Sequence, residues 1–210
     1  FGIVLVSPED KIYLNYKNNI NFRYTPDGLG IISNCTLYGN FNGTFIVNET
    51  DNVVVKGAQN VFGPLNLSEG NYLWNVLCSD NAGNANYAFT NFRHGIDLTN
   101  PVITNITSPV EYPKTLCSRS VSLDYNLNET NKYYCFYNIT NSTSIIISDT
   151  NISSCGSTTF NINSGNEDRD LTLTLVAVDK AGNSHTLTKI FYIDTDNSSC
   201  SNSNQTTNDN

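Results

Sequence analysis

Two stretches decide the fold of this 210-residue chain: residues 72–84 read YLWNVLCSDNAGN, and residues 171–183 read LTLTLVAVDKAGN. Both end in Asp-x-Ala-Gly-Asn, first at Asp80 and then at Asp179, an offset of 99 residues. Four further anchors recur in the same order at nearly the same offset: Ser7-Pro8 with Ser108-Pro109, Phe22 and Tyr24 with Leu123 and Tyr125, Cys35 with Cys135, and Ile96-Asp97 with Ile193-Asp194. The chain therefore contains two copies of one unit.

The repeat predicts two domains, 1–98 and 99–196, followed by a tail or linker at 197–210 that is rich in Asn, Ser and Thr. Each copy offers seven short segments of alternating apolar residues, and no window shows helical spacing with a cap. The predicted strands are Ile3–Val6, Asn19–Tyr24, Ile31–Tyr38, Thr44–Val47, Asn60–Leu67, Tyr72–Ser79 and Ala85–Ile96, then Val102–Thr107, Ser120–Tyr125, Lys132–Ile139, Ser144–Ser148, Thr158–Ile162, Leu171–Val178 and Ser184–Ile193. This pattern predicts an all-β chain of two tandem Ig-like (fibronectin type III-like) β-sandwiches with a polar C-terminal tail.

The chain resembles the Ig-like repeats of prokaryotic, especially archaeal, cell-surface proteins. The likeness rests on residues 72–84 and on Ile96-Asp97-x-Thr99-x-Pro101, and it is stronger in the first copy. The second copy has Thr174 where the first has Trp74, and Val178 where the first has Cys78. The resemblance implies stalks, adhesion modules or envelope components at the cell surface.

The charge of the chain argues against a nucleic-acid partner, and its composition shows which polar groups cover its surface. Eleven Lys and Arg against 19 Asp and Glu give a net charge of -8, so we expect no nucleic-acid partner, which would need a basic surface. Charged residues make up only 14% of the chain, whereas 34 Asn, 22 Thr and 20 Ser supply neutral polar groups.

No apolar stretch is long enough for a transmembrane segment. Because the chain starts at Phe1 and lacks Met, we expect a mature or excised piece of a longer protein.

The six cysteines predict three disulfides in an oxidising compartment, since two His and no Cys-x-x-Cys pair are poor material for a zinc site. Cys35 and Cys78 lie in strands that neighbour each other in this type of sandwich. The expected pairs are Cys35–Cys78, Cys135–Cys155 and Cys117–Cys200. Connectivity does not follow from sequence alone, and a Cys78–Cys135 link between the domains would overturn the scheme.

Eleven Asn-x-Ser/Thr sequons occur, a modest excess over the roughly seven that composition alone would give. Together with the cysteines and the low charge, they predict an extracellular protein that carries N-linked glycans. The acceptors are Asn34, Asn42, Asn48, Asn66, Asn105, Asn128, Asn138, Asn141, Asn151, Asn197 and Asn204.

The repeated Asp-x-Ala-Gly-Asn motif favours a tight turn, because Gly accepts positive φ and Asp accepts hydrogen bonds from backbone N–H groups. Calcium is the alternative, with Asp80, Asp97, Asp179 and Asp194 as oxygen ligands. One or two carboxylates per loop are too few for a tight site, so we expect no cofactor.

No catalytic constellation is evident, and we expect no enzyme. His94 and His185 do not occupy matching positions in the repeat, and Glu111 and Glu167-Asp168 lie in polar, turn-like segments. Trp74, the single Trp, is expected in the core; the alternative is a sugar-stacking surface.

The N-terminal segment is apolar on both faces, through Phe1, Ile3, Val4, Leu5 and Val6. An edge strand normally exposes polar groups on one face. The pattern therefore indicates burial against a neighbouring repeat or, by strand donation, against the next copy in a head-to-tail filament.

These observations predict an extracellular structural or adhesive surface protein whose partners are neighbouring Ig-like repeats or copies of itself. The alternatives are a filament subunit, a carbohydrate-binding module with an exposed aromatic platform, and a hydrolase accessory domain.

Overall fold

The structure is a computed structural model that describes residues 2–28 and 30–196. Phe1, Asn197, Cys200, Asn204 and the predicted tail lie outside the described residues. The chain divides into two compact units, Phe1–Thr99 and Asn100–Asn210. None of the described residues belongs to a helix that is long and apolar enough to cross a membrane.

The first unit is built from two sheets. Its strands are β1 (Gly2–Ser7), β2 (Ile12–Leu14), β3 (Ile20–Asp27), β4 (Ile32–Gly39), β5 (Ile46–Asp51), β6 (Asn60–Leu65), β7 (Gly70–Asp80), β8 (Ala85–Tyr87) and β9 (Phe92–Ile96). One sheet has the order β1-β3-β6, and the other has the order β2-β9-β7-β4-β5, with β8 also paired to β7. All pairs are antiparallel except β2 with β9.

The second unit repeats this topology. Its strands are β10 (Val102–Ser108), β11 (Thr115–Leu116), β12 (Ser120–Asn128), β13 (Lys132–Thr140), β14 (Ile145–Ile152), β15 (Thr158–Asn161), β16 (Asp170–Asp179) and β17 (Ser184–Ile193). The sheets have the orders β10-β12-β15 and β11-β17-β16-β13-β14, and β11 runs parallel to β17. The anchors found by sequence therefore occupy matching strands.

Alternating residues of each strand form the cores. β3 buries Ile20, Phe22 and Tyr24 and turns the residues between them outward. β16 does the same with Leu171, Leu173 and the residues that follow at every second position. Each unit has its own continuous hydrophobic cluster, as expected where two sheets pack face to face.

Two short strands were not predicted, β2 and β11. They contain three and two residues, respectively, and each pairs in parallel with the last strand of its unit. A stretch this short shows too little alternation to be distinguished from a loop by its pattern.

The predicted strand Ala85–Ile96 is interrupted between Tyr87 and Phe92, which was not expected. At this break, Nδ2 of buried Asn75 donates to the carbonyl oxygen of Ala88 at 3.2 Å and to Oδ1 of Asn91 at 2.6 Å. The N–H of Ala88 still donates to the carbonyl oxygen of Val76 at 3.0 Å, so the Asn75 side chain replaces only part of the β7 ladder here and its buried amide is satisfied.

In β7 and its counterpart β16, the predicted correspondence of the two copies was wrong by one residue. Cys135 pairs across the sheet with Ala177, as Cys35 pairs with Cys78, so Ala177 and not Val178 is the counterpart of Cys78. The counterpart of Trp74 is likewise buried Leu173 and not Thr174. A shift of one residue moves every side chain of a strand to the opposite face.

Candidate functional site

The repeated turn, residues 80–84 and 179–183, satisfies its own polar groups. Oδ1 of Asp80 accepts hydrogen bonds from the backbone N–H groups of Ala82 at 2.9 Å and Asn84 at 2.8 Å, and Oδ2 accepts from the Asn84 side chain at 2.8 Å. The same three bonds recur around Asp179 at 2.8 to 2.9 Å. The hydrogen bonds from the Asn84 side chain and backbone hold the pKa of Asp80 below its usual range.

This geometry explains the motif as a turn. Gly83 and Gly182 have φ of +87° and +88°, a conformation that favours glycine. Asp97, another of the candidate calcium ligands, likewise accepts a backbone hydrogen bond, from the N–H of Thr99 at 3.1 Å. The described residues contain no group of three or more His, Cys, Asp or Glu side chains that could hold a metal ion. That these turns hold no calcium stays a prediction.

Two of the expected disulfides are present within the described residues. Cys35 in β4 is bonded to Cys78, directly opposite in β7, with a Cα–Cα distance of 4.0 Å. The bond therefore links two neighbouring strands of one sheet, whereas the immunoglobulin disulfide joins the two sheets. Cys135 in β13 is bonded to Cys155, in the short 3-10 turn after β14. Cys117 precedes β12, and its expected partner Cys200 lies outside the described residues.

Trp74 lies in the centre of the first core with no exposed surface. Its ring contacts Phe22 and Phe92 edge-to-face, with centroid distances of 5.2 and 5.8 Å. A side chain that does not reach the surface cannot stack on a sugar, so Trp74 is a packing residue.

The predicted titratable residues do not converge. His94 is buried between Tyr72 and Phe22 in the first unit, at ring-centroid distances of 5.4 and 5.6 Å. His185 lies in the second unit, where its Nδ1 accepts the N–H of Ile103 at 3.0 Å. The two histidines therefore have different structural roles.

The acidic candidates lie outside the strands, where Asp168 is exposed and Glu167 is half-buried. Glu167 forms an ion pair with Arg119 and accepts the N–H of Gly165 at 2.6 Å. Hydrogen bonds from its own backbone N–H and from Arg119 lower the pKa of Glu167. Glu111 is exposed near the start of β11. That the chain is no enzyme stays a prediction.

Sequence reasoning missed a group of aromatic side chains at the surface of the first unit, in which Tyr87 and Phe89 are exposed and Tyr38 and Phe45 are half-buried. β4 buries Cys35 and Leu37 and turns Tyr38 outward, where its ring meets Tyr87 at 5.1 Å and Phe45 at 6.1 Å. Two residues beyond Tyr87, Phe89 is 100% exposed. Partial burial and a hydrogen bond with Tyr38 raise the pKa of Tyr87. The alternation of β4 predicts an outward Tyr38, but the cluster depends on β8, which sequence did not separate from β9.

Nine of the eleven sequon asparagines lie in the described residues. Exposed side chains are found at Asn42, Asn48, Asn66, Asn105, Asn128 and Asn151, and half-buried ones at Asn34, Asn138 and Asn141. Nδ2 of Asn138 donates to Asp149 at 2.9 Å, and Nδ2 of Asn34 lies 3.4 Å from the Ser33 hydroxyl. Most acceptors are thus accessible to a glycosylating enzyme.

The N-terminal segment pairs within its own unit. β1 lies beside β3, from Gly2 opposite Asp27 to Ser7 opposite Arg23. Leu5 is buried in the core and Ile3 packs against it, while Val4 is 62% exposed. β1 is an outer strand of its sheet. Its apolar excess is therefore partly explained by the core of the same unit.

No protein-family model matches the chain, and no characterised protein sequence matches it. Solved structures do. The chain is similar to the fibronectin(III)-like modules of Clostridium thermocellum CbhA, with a TM-score of 0.51 and 10% identity over 91% of this chain and 93% of that one. It is also similar to the FN1–FN3 domains of chicken CNTN1, with a TM-score of 0.52 and 10% identity over 91% of this chain and 68% of that one. The predicted all-β, fibronectin type III-like and Ig-like fold is confirmed.

Proposed function

We propose that the chain is an extracellular structural or adhesive cell-surface protein built from Ig-like repeats, disulfide-bonded and N-glycosylated. The observation that carries this proposal is the disulfide within each β-sandwich, Cys35–Cys78 and Cys135–Cys155, because such bonds persist in oxidising compartments. Exposed sequons and a surface rich in Asn, Ser and Thr support it. Its partners are neighbouring repeats or copies of itself, its covalent ligands are N-linked glycans, and it is not an enzyme.

Mass spectrometry of the natural protein, combined with protease treatment of intact cells, tests this proposal. We expect a mass above the 23.2 kDa of the polypeptide, and a gain of two hydrogens per disulfide on reduction. Protease added to intact cells should remove the chain. A protein that is fully protected in intact cells, and cleaved only after lysis, would contradict a surface location.

If the protein is adhesive, the aromatic group of Tyr38, Tyr87 and Phe89 is the surface through which it would contact a polysaccharide. Tyr38 and Tyr87 pack edge-to-face at 5.1 Å beside fully exposed Phe89, and aromatic side chains with a polar tip are suited to contacts with another molecule. We expect Tyr38→Ser, Tyr87→Ser and Phe89→Ser together to abolish binding of protein-coated beads to polysaccharide-bearing cells. Tyr16→Ser and Tyr133→Ser, which are exposed elsewhere, are the matched control. Equal binding by both variants would exclude this surface.

A filament subunit that assembles by strand donation is the second candidate. The favouring observation is that β1 is an outer strand with Val4 exposed. Donation would require β1 to leave β3 and to pair with the next copy. Because Val4 lies opposite Thr25, Val4→Cys with Thr25→Cys should lock β1 in its own unit. Filaments seen by electron microscopy should then disappear and return on reduction; filaments that persist in the locked variant would refute strand donation.

A further inference from the structure

Three acceptor asparagines meet at one edge of the first unit. Asn42 lies between β4 and β5, Asn48 lies within β5, and Asn66 directly follows β6. All three line a single pocket of about 220 Å³. Although they are up to 24 positions apart in sequence, the fold brings them to the same surface.

This surface contains the free edge of an outer strand. β5 pairs with β4 on one side only. Ile46 and Val47 in β5 are 45% and 52% exposed, and both line the pocket with Leu65. An exposed strand edge with apolar side chains is a site at which another chain can pair, and proteins usually protect such edges.

The acceptor nitrogens at this edge are available for reaction. Oδ1 of Asn66 accepts the backbone N–H of Asn19 at 3.0 Å, which holds the amide, and its Nδ2 has no acceptor in the part of the chain that the structure describes. Within the described residues, Nδ2 of Asn42 and of Asn48 likewise has no hydrogen-bond acceptor. Asn138 differs, because its Nδ2 donates to Asp149.

We infer that N-linked oligosaccharides on Asn42, Asn48 and Asn66 cover this pocket and the free edge of β5, and prevent the edge from pairing with a second copy. In the attachment step, Nδ2 bonds to the anomeric carbon of a lipid-linked, phosphate-activated oligosaccharide; the carbon–oxygen bond to phosphate breaks, the lipid phosphate leaves, and the amide loses one proton. The C–H faces of the sugars cover Ile46 and Val47, and the hydroxyl groups face water. The inference deepens the proposed function and rests on its glycosylation.

Site occupancy is the first test. Glycopeptide mass spectrometry of the chain secreted by a glycosylating host should find glycans on Asn42, Asn48 and Asn66. Bare asparagines at these three positions, with glycans on other sequons, would overturn the inference and leave the proposed function intact. A chain with no glycan on any sequon would also refute the glycoprotein part of the proposed function.

The second test measures whether the chain self-associates when the three sequons are removed. Asn42→Gln, Asn48→Gln and Ser68→Ala together remove the three sequons, and Ser68→Ala keeps the Asn66 amide that holds Asn19. Light scattering should show about a twofold or larger rise in polypeptide mass, since edge pairing joins two copies. The matched control replaces exposed asparagines outside sequons: Asn15→Gln, Asn18→Gln and Asn71→Gln. It should remain monomeric.

A rescue variant shows whether the edge is responsible. Val47→Lys, added to the sequon-free variant, places a charge on β5 and should restore the monomer. Emission from buried Trp74 confirms that each variant is folded. A sequon-free variant that is folded and monomeric would overturn the protective role, as would aggregates that Val47→Lys leaves unchanged.

Discussion

His94 is a basic side chain that the first unit holds out of contact with water. Only 2% of its surface is exposed, and neither ring nitrogen has a hydrogen-bond partner among the described residues. It contacts the rings of Tyr72 and Phe22, which carry no charge. Burial lowers the pKa of His94 to about 4, because the charged imidazolium would lose its hydration.

The stability of the first unit should therefore fall in mild acid. The folded state favours neutral His94, whereas the unfolded chain binds the proton once pH falls below the ordinary pKa of about 6.5. Above that pH, His94 is neutral in both states and does not lower the stability of the first unit. By pH 4, the free energy of unfolding should have fallen by about 3 kcal/mol. Urea unfolding followed by Trp74 emission measures this, because Trp74 is the only Trp and lies in this unit.

Replacing the histidine isolates its contribution from that of the acidic groups. His94→Leu should remove this part of the pH dependence, whereas His185→Gln, in the second unit, should keep it. An unchanged pH profile in His94→Leu would show that His94 is not the group responsible. The inward position of Trp74 could be predicted from strand alternation, but that of His94 could not, because it depends on the pairing of β9 with β7 opposite Tyr72.

At the scale of elements, the repeated turn should contribute unequally to the stability of the two units. Asp179 is fully buried, whereas Asp80 is partly exposed, so water can replace the lost hydrogen bonds only at Asp80. We expect Asp179→Ala to lower the free energy of unfolding of the second unit by about 2 kcal/mol. Asp80→Ala should have a smaller effect on the first unit.

Hydrogen exchange of the β16 and β7 amides measures the two effects separately. Glu111→Ala, which changes an exposed carboxylate of the second unit, is the control and should leave the β16 amides unaffected. Equal losses from Asp80→Ala and Asp179→Ala would contradict the argument from burial.

A strand could be predicted from the sequence where its own residues alternate between buried apolar and outward positions. β3 and β16 bury every second residue, and both were found by sequence. β2 and β11 were not, because they depend on parallel pairing with the last strand and on very few residues. The break after β8 lies where the amide of Asn75 bonds to the segment from across the sheet, and the local sequence of that segment does not reveal this contact.

At the scale of the whole molecule, each described disulfide closes a loop within one unit. The sequence separations are 43 residues for Cys35–Cys78 and 20 for Cys135–Cys155. By the loop-entropy relation, removing the first bond with Cys35→Ala and Cys78→Ala should cost the first unit about 4 kcal/mol. Removing the second should cost the second unit about 3 kcal/mol.

Each loss should be confined to the unit that contains the bond, since each core cluster belongs to one unit. Trp74 emission reports the first unit, and hydrogen exchange of β16 amides reports the second. A loss in the second unit on removal of Cys35–Cys78 would contradict this separation.

The Cys35–Cys78 bond also determines how far the chain can lengthen under tension. A force applied to its two ends extends only the residues outside the closed loop, because the covalent bond bypasses the 43 residues from one cysteine to the other. At about 3.4 Å per residue, roughly 150 Å of contour length stays hidden in the first unit until the bond is reduced. Under tension, the first unit should therefore lengthen by a shorter step in oxidising surroundings and by a longer step after reduction.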